Sequence, residues 1–342
     1  MNFLPKLWDY LKKIGLAIIF FSLILAGGWV AYRYDIAKKP QSVGKESIVE
    51  GDNALNLGHY ADAKRIFEAE FKANPQNQQA AWGLKIANVR QTLSQSEFKE
   101  AIDTLYQQSP NDAYINLFLG EYSAVNNDPD KAIQYYKQAI ELNPKLAEAY
   151  YGLAKLYEHQ GNEEAAKIES LKAIEVSPTP KYRNHLGTLY FKRQHYEEAV
   201  KEYGKNKEYP LSALESAKIY WRLEYLSQAL SYQKQALEWL EDKATMEKPE
   251  NEETWFFEIT NGKKIELATL DEKKSYAYLC ISASLYFQGN MQGAETEMKK
   301  FLDLKLARQA DIKKLLTADL DALVQANSTF AKQVADYKQL YL

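Results

Sequence analysis

Four histidines, one cysteine and 46 carboxylates are the groups in this 342-residue chain that could do covalent, metal or proton-transfer chemistry. His59, His159, His185 and His195 stand singly, at no spacing that would turn two imidazoles onto one metal, and Cys280 alone cannot supply a thiolate cluster. Cys280 lies among Tyr278, Leu279 and Ile281, a setting for a small buried hydrophobe and not for a nucleophile. There is no glycine-rich phosphate loop, nucleophile elbow or paired-histidine motif. The acidic pair Glu163 and Glu164, the pair Glu197 and Glu198, and Asp242 fall at turns or helix starts, where negative charge offsets the helix dipole. The reading is therefore of a non-enzyme with no cofactor, no metal and no small-molecule ligand. What remains is recognition by surface.

The elements that would carry such a surface can be read from spacing. Tyr150, Leu153, Ala154 and Tyr157 lie three and four apart, hence on one face of a helix. Gly161 marks a turn, Ala166, Ser170 and Ala173 mark a second helix that comes close to the first, and Pro178 closes it. The alanine equivalent to Ala166 recurs at Ala63, Ala132, Ala199, Ala229 and Ala294, with a weaker candidate at Ala101, and the closing proline at Pro75, Pro144 and Pro210. This pattern resembles the tetratricopeptide repeat, a helix-turn-helix unit of about 34 residues. The resemblance implies an all-α fold, a solenoid of six to seven units over residues 44–308.

Two breaks in the period refine that picture. The second unit keeps Trp82 and Leu84 but has Lys85 where a small residue is usual, so its helices are expected to pack loosely. Between Ala229 and Ala294 the chain carries an excess over residues 242–273. There Trp255, Phe257 and Ile259, then Lys263, Ile265 and Leu267, alternate around Asn261 and Gly262, the signal of a β-hairpin whose turn needs positive φ. Residues 309–342 read as helices capping the end of the stack.

The N-terminus bears on location. Residues 14–32 are uncharged, about 28 Å as a helix and close to a bilayer's hydrocarbon thickness. Lys6, Lys12 and Lys13 precede the run, and Trp29 and Tyr32 stand at its far end. We read residues 1–13 as a cytoplasmic tail, 14–32 as one transmembrane helix and 33–43 as a linker, with the repeats in the periplasm of a bacterium. The competing reading is a signal cleaved near Ala26, Gly27 and Gly28, which would leave the repeats free in the periplasm; the apolar run continues past that point. Charge is near balance, with 43 basic residues against 46 acidic, and no nucleic-acid partner is implied.

In the family, positions 2, 5, 9, 12 and 13 of the first helices line a groove that holds a partner protein or peptide. Carried onto this chain, those positions are Glu148, Tyr151, Lys155, Glu158 and His159 in the fourth unit, Lys181, Asn184, Thr188, Phe191 and Lys192 in the fifth, and Leu211, Leu214, Lys218, Trp221 and Arg222 in the sixth, of which Tyr151, Lys155, Asn184, Phe191, Lys218, Trp221 and Arg222 are nominated to hold the partner. Rings interleaved with cations and amides supply area and orientation together. In the seventh unit Tyr276 and Leu279 are equally readable as covered by the hairpin or cap. The family's carboxylate clamp needs lysine at position 5, where this chain has Ile48, Trp82, Leu117, Tyr151, Asn184, Leu214 and Leu279, so that clamp is absent. Three roles remain: a membrane-anchored scaffold in assembly of an envelope complex, a holdase or secretion accessory for exported clients, and a regulatory subunit or enzyme using the insertion.

Overall fold

A computed structural model describes residues 44–92, 95–248, 251, 254–259 and 263–342. The apolar run 14–32 with its flanks, and the turn residues Asn261 and Gly262, lie outside the described residues. Among the described residues no helix is long and apolar enough to cross a membrane.

Helices α1 (Lys45–Asn56), α2 (Tyr60–Ala73) and α3 (Gln78–Thr92) come first and α4 (Gln95–Gln108) follows; α5 (Ala113–Val125) then pairs with α6 (Pro129–Leu142), and α7 (Ala147–His159) with α8 (Glu163–Val176). Next come α9 (Pro180–Lys192) with α10 (Tyr196–Gly204), and α11 (Pro210–Arg222) with α12 (Leu226–Glu241). A short α13 (Lys243–Met246) and strands β1 (Trp255–Ile259) and β2 (Lys263–Leu267) precede α14 (Leu270–Phe287) and α15 (Met291–Asp303); α16 (Gln309–Ala326) and α17 (Ala331–Tyr341) end the chain. The strands pair antiparallel, Trp255 opposite Leu267 and Ile259 opposite Lys263. The described residues form two compact units, one of residues 44–55 with 59–92, the other of 56–58 with the described residues from 95 on.

Local chemistry explains the repeating shape. Counting each unit from its first groove helix, position 20 is alanine in six of the pairs, at Ala63, Ala132, Ala166, Ala199, Ala229 and Ala294, and each is fully buried. Position 15 turns the chain from first helix to second with φ near +60 to +80° at Gly58, Asn127, Gly161, Gln194, Glu224 and Gly289. Only three of these are glycine, so Gln194 and Glu224 hold a strained conformation. Side chains cap the second helices: Asp128 accepts from the Lys131 amide, Asn162 from Ala165 and Asn290 from Gly293.

Position 24 sets how repeats stack. In the first compact unit the Phe67 ring lies between Gly51 and Gly83, where an added β-carbon would stand 2.5 Å from the ring at either glycine. In the second compact unit Tyr136 lies in the same way between Gly120 and Gly152, with the corresponding approaches 2.7 and 2.5 Å. The fourth repeat inverts the arrangement. Ser170 stands at the ring position, Ala154 replaces the first glycine and His185 the second, and Ser170 Oγ meets His185 Nδ1 at 2.9 Å.

The C-terminal helices differ from the expected end cap. Within the second unit α16 packs on the first helices α11 and α14 and on both strands. The reason is an apolar stripe, Ile312, Leu315, Leu316, Leu320 and Leu323, that joins Trp221, Trp255, Ile265, Leu267 and Tyr276 in one core. α16 thus fills the groove face of the sixth and seventh repeats, and α17 returns to set Tyr337 against Tyr286 and Phe287.

Candidate binding groove

The seven residues nominated to hold a partner, Tyr151, Lys155, Asn184, Phe191, Lys218, Trp221 and Arg222, separate into a covered set and an open set. Lys218 and Trp221 are covered. Trp221 is 1% exposed, donates from Nε1 to Ser284 Oγ at 2.7 Å and meets Phe287 edge-on. Lys218 lies 3.0 Å from both Glu215 and Asp319, under the rings of Phe257 and Tyr276. Burial works against its ammonium, but the two carboxylates outweigh burial and raise its pKa, so it stays charged. Both residues are corrected from groove lining to interior, because α16 and the hairpin occupy their face.

The remaining five keep access to solvent. Tyr151 on α7 packs against Tyr182 at 5.3 Å and edge-on against His185 at 5.1 Å. Two ammonium groups face its ring, Lys155 at 5.6 Å and Lys181 at 5.2 Å from the centroid, and Lys181 also pairs with Glu148 at 2.7 Å. Asn184 on α9 accepts from Ser212 Oγ at 3.0 Å, and Asn206 donates to the same hydroxyl at 2.9 Å. Farther along, the Arg222 guanidinium stacks on Phe191 at 4.2 Å. The nominated positions thus form two ring-and-cation clusters with a polar bridge on α9.

One constellation looks catalytic and is not. His185 Nε2 is 3.1 Å from Glu158, and its Nδ1 meets Ser170, an acid-imidazole-hydroxyl chain. Ser170 is fully buried, and its hydroxyl donates to the Ala166 carbonyl at 2.8 Å, so no substrate reaches it. The chain is a structural bridge joining α7, α8 and α9. Burial would raise the Glu158 pKa, but hydrogen bonds from His185 and Lys192 overcome it and hold the carboxyl at about 2. Among the described residues no cluster of histidine, cysteine and acid could hold a metal.

Asp319 was missed from sequence. An acid three or four residues from Leu315, Leu316 and Leu323, on the apolar stripe of a helix, was the available sign that this face meets a buried cation.

Family models agree with the geometry: a TPR repeat model matches residues 126–161, and tetratricopeptide repeat models match 147–180 and 48–113. The chain carries tetratricopeptide repeats. Among curated relatives, these repeats are 35% identical over 86 residues to the photosystem I assembly protein Ycf3 of Rippkaea orientalis, a match covering 23% of this chain and 50% of that one. They are 36% identical over 76 residues to the superkiller complex protein 3 of Mus musculus, covering 21% of this chain and 5% of that protein. The match to Ycf3 thus spans about half of that relative's length. The crystal structure of the APC/C hetero-tetramer Cut9-Hcn1 shares the fold at a TM-score of 0.51 and 14% identity, over 86% of this chain and 55% of that one.

Proposed function

We propose that the chain is a scaffold for protein assembly, its open groove over the fourth and fifth repeats holding a segment of a partner. The observation that carries this reading is how differently one groove face is treated along its length. Over the sixth and seventh repeats the protein covers it with its own α16 and hairpin, which supports reading the face as one suited to a packed segment. Over the fourth and fifth, Tyr151, Lys155 and Phe191 are left with solvent access, as is Arg222 at the end of the sixth repeat's first helix, with rings and cations already ordered against each other. Preordered side chains lose little entropy on binding. The assembly role named for Ycf3 agrees with this reading. In the same proposal residues 14–32 anchor the chain in the inner membrane, with the repeats on the periplasmic side, where the partner would be a component of an envelope complex.

The test is copurification of the full chain in detergent. A stoichiometric partner is expected with the native sequence and lost with Tyr151→Ala plus Arg222→Ala, while the thermal unfolding midpoint stays within a few degrees. Retention of the partner by that variant would remove the groove from the account. A C-terminal topology reporter tests the compartment separately.

A further inference from the structure

Cations from two helices meet over Tyr151 in the open groove. Lys155 and Lys181 both face the Tyr151 ring, from α7 and α9, and the exposed Lys264 of the hairpin strand β2 lies close enough to act on Lys155 through space. Among the described residues no carboxylate stands within ion-pair reach of Lys155, whose direct contact is with the Tyr151 ring. Glu148 is engaged by Lys181, and Glu121 acts on Lys155 only at a distance. Crowding by the surrounding protein, followed by the ammonium groups of Lys181 and Lys264, lowers the Lys155 pKa against the opposing pull of Glu121 and Glu148. A positive charge so placed gains from an incoming anion what it does not gain from its own chain.

We propose that the surface formed by Tyr151, Lys155, Lys181 and Lys264 recognises aspartate and glutamate side chains on an extended segment of a partner protein. This deepens, and rests on, the groove function proposed above. The three ammonium groups come from three elements, α7, α9 and β2, so one surface offers separate cations to more than one carboxylate, as a segment bearing several acidic side chains presents. Tyr151 supplies the apolar floor on which the methylenes of such a segment lie. The hairpin takes on a role here: the insertion brings a cation to a face that the repeats alone would leave with two.

The experiment measures fluorescence anisotropy of labelled peptides on the full chain in detergent. The probes are a peptide of glutamate, alanine and leucine, its glutamine counterpart, and C-terminally amidated and free-acid forms of each. Binding is expected for the glutamate peptide in both terminal forms, weakening with salt, and at least tenfold weaker, roughly, for Lys155→Glu plus Lys264→Glu. Equal binding of the glutamine peptide, binding only of free-acid forms, or indifference to the double reversal would each overturn the proposal. Lys155 and Lys264 are exposed, so the reversal leaves the fold intact, which the unfolding midpoint checks. A photo-crosslinker at Lys192 separates this idea from the one beneath it: a partner still trapped by the double reversal removes acidic recognition and leaves the groove standing.

Discussion

Ser170 and His185 illustrate how a repeat can exchange one packing solution for another. A ring between two glycines and a serine facing a histidine fill the same junction, and each works only as a set. Replacing Ser170 with tyrosine drives a ring into His185 and the β-carbon of Ala154, costing about 1–3 kcal/mol. Adding Ala154→Gly and His185→Gly rebuilds the arrangement around Tyr136, so the triple variant should be more stable than the sum of its single changes by about 1 kcal/mol or more, read from urea unfolding. Gln194 offers the opposite opportunity. Its φ of +61° suits glycine, and Gln194→Gly is expected to raise stability by about 1 kcal/mol, with an unchanged or lower midpoint contradicting the strain. Glu158 gives a pH signature. Its carboxyl sits at about 2 in the folded chain against 4.5 unperturbed, so its contribution is fully present above about pH 4.5 and lost as pH falls through 2. Unfolding followed between pH 7 and 2 should show that acid limb shrink in Glu158→Gln.

At the scale of elements, α16 decides which part of the groove is open. Its apolar stripe buries against α11, α14 and the hairpin, and Asp319 reaches Lys218 at 3.0 Å and the Tyr276 hydroxyl within the same interior. Asp319→Ala leaves that hydroxyl without its acceptor and Lys218 with Glu215 alone, and should cost about 3 kcal/mol, measured as a fall in the urea midpoint of the full chain. A cost under about 1 kcal/mol would mean that the ionic contact is incidental to docking. The helix pairs themselves were readable from sequence, because the tyrosines, glycines and alanines that define them interact with neighbours three, four or about 16 residues away and recur about every 34. The pairing of β1 with β2 was readable for the same reason. The docking of α16 was not, since Leu315, Leu316, Leu320 and Leu323 fit an end cap as well as a groove, and only partners some 40 to 100 residues earlier choose between them. Trp221 was misplaced by that one choice: its position on the first helix was read correctly, and what covers it was not.

For the molecule as a whole, the second unit is partly filled by its own C-terminus and leaves ring-and-cation clusters open on α7, α9 and the end of α11. Among the residues nominated from sequence, Lys155 stands over Tyr151 and Arg222 over Phe191, whereas Lys264 enters from an insertion that repeat numbering does not index. Anchor and compartment belong to residues 14–32 and are tested by topology, independently of the groove. Site-specific photo-crosslinking in cells tests the central claim most directly, with the probe at Lys192 on the groove side and, as control, at the exposed Ile168 on α8. The account predicts one dominant protein adduct from Lys192, absent from Ile168 and lost when Tyr151→Ala and Arg222→Ala are combined. The same adducts from both positions, or none from Lys192, would contradict it.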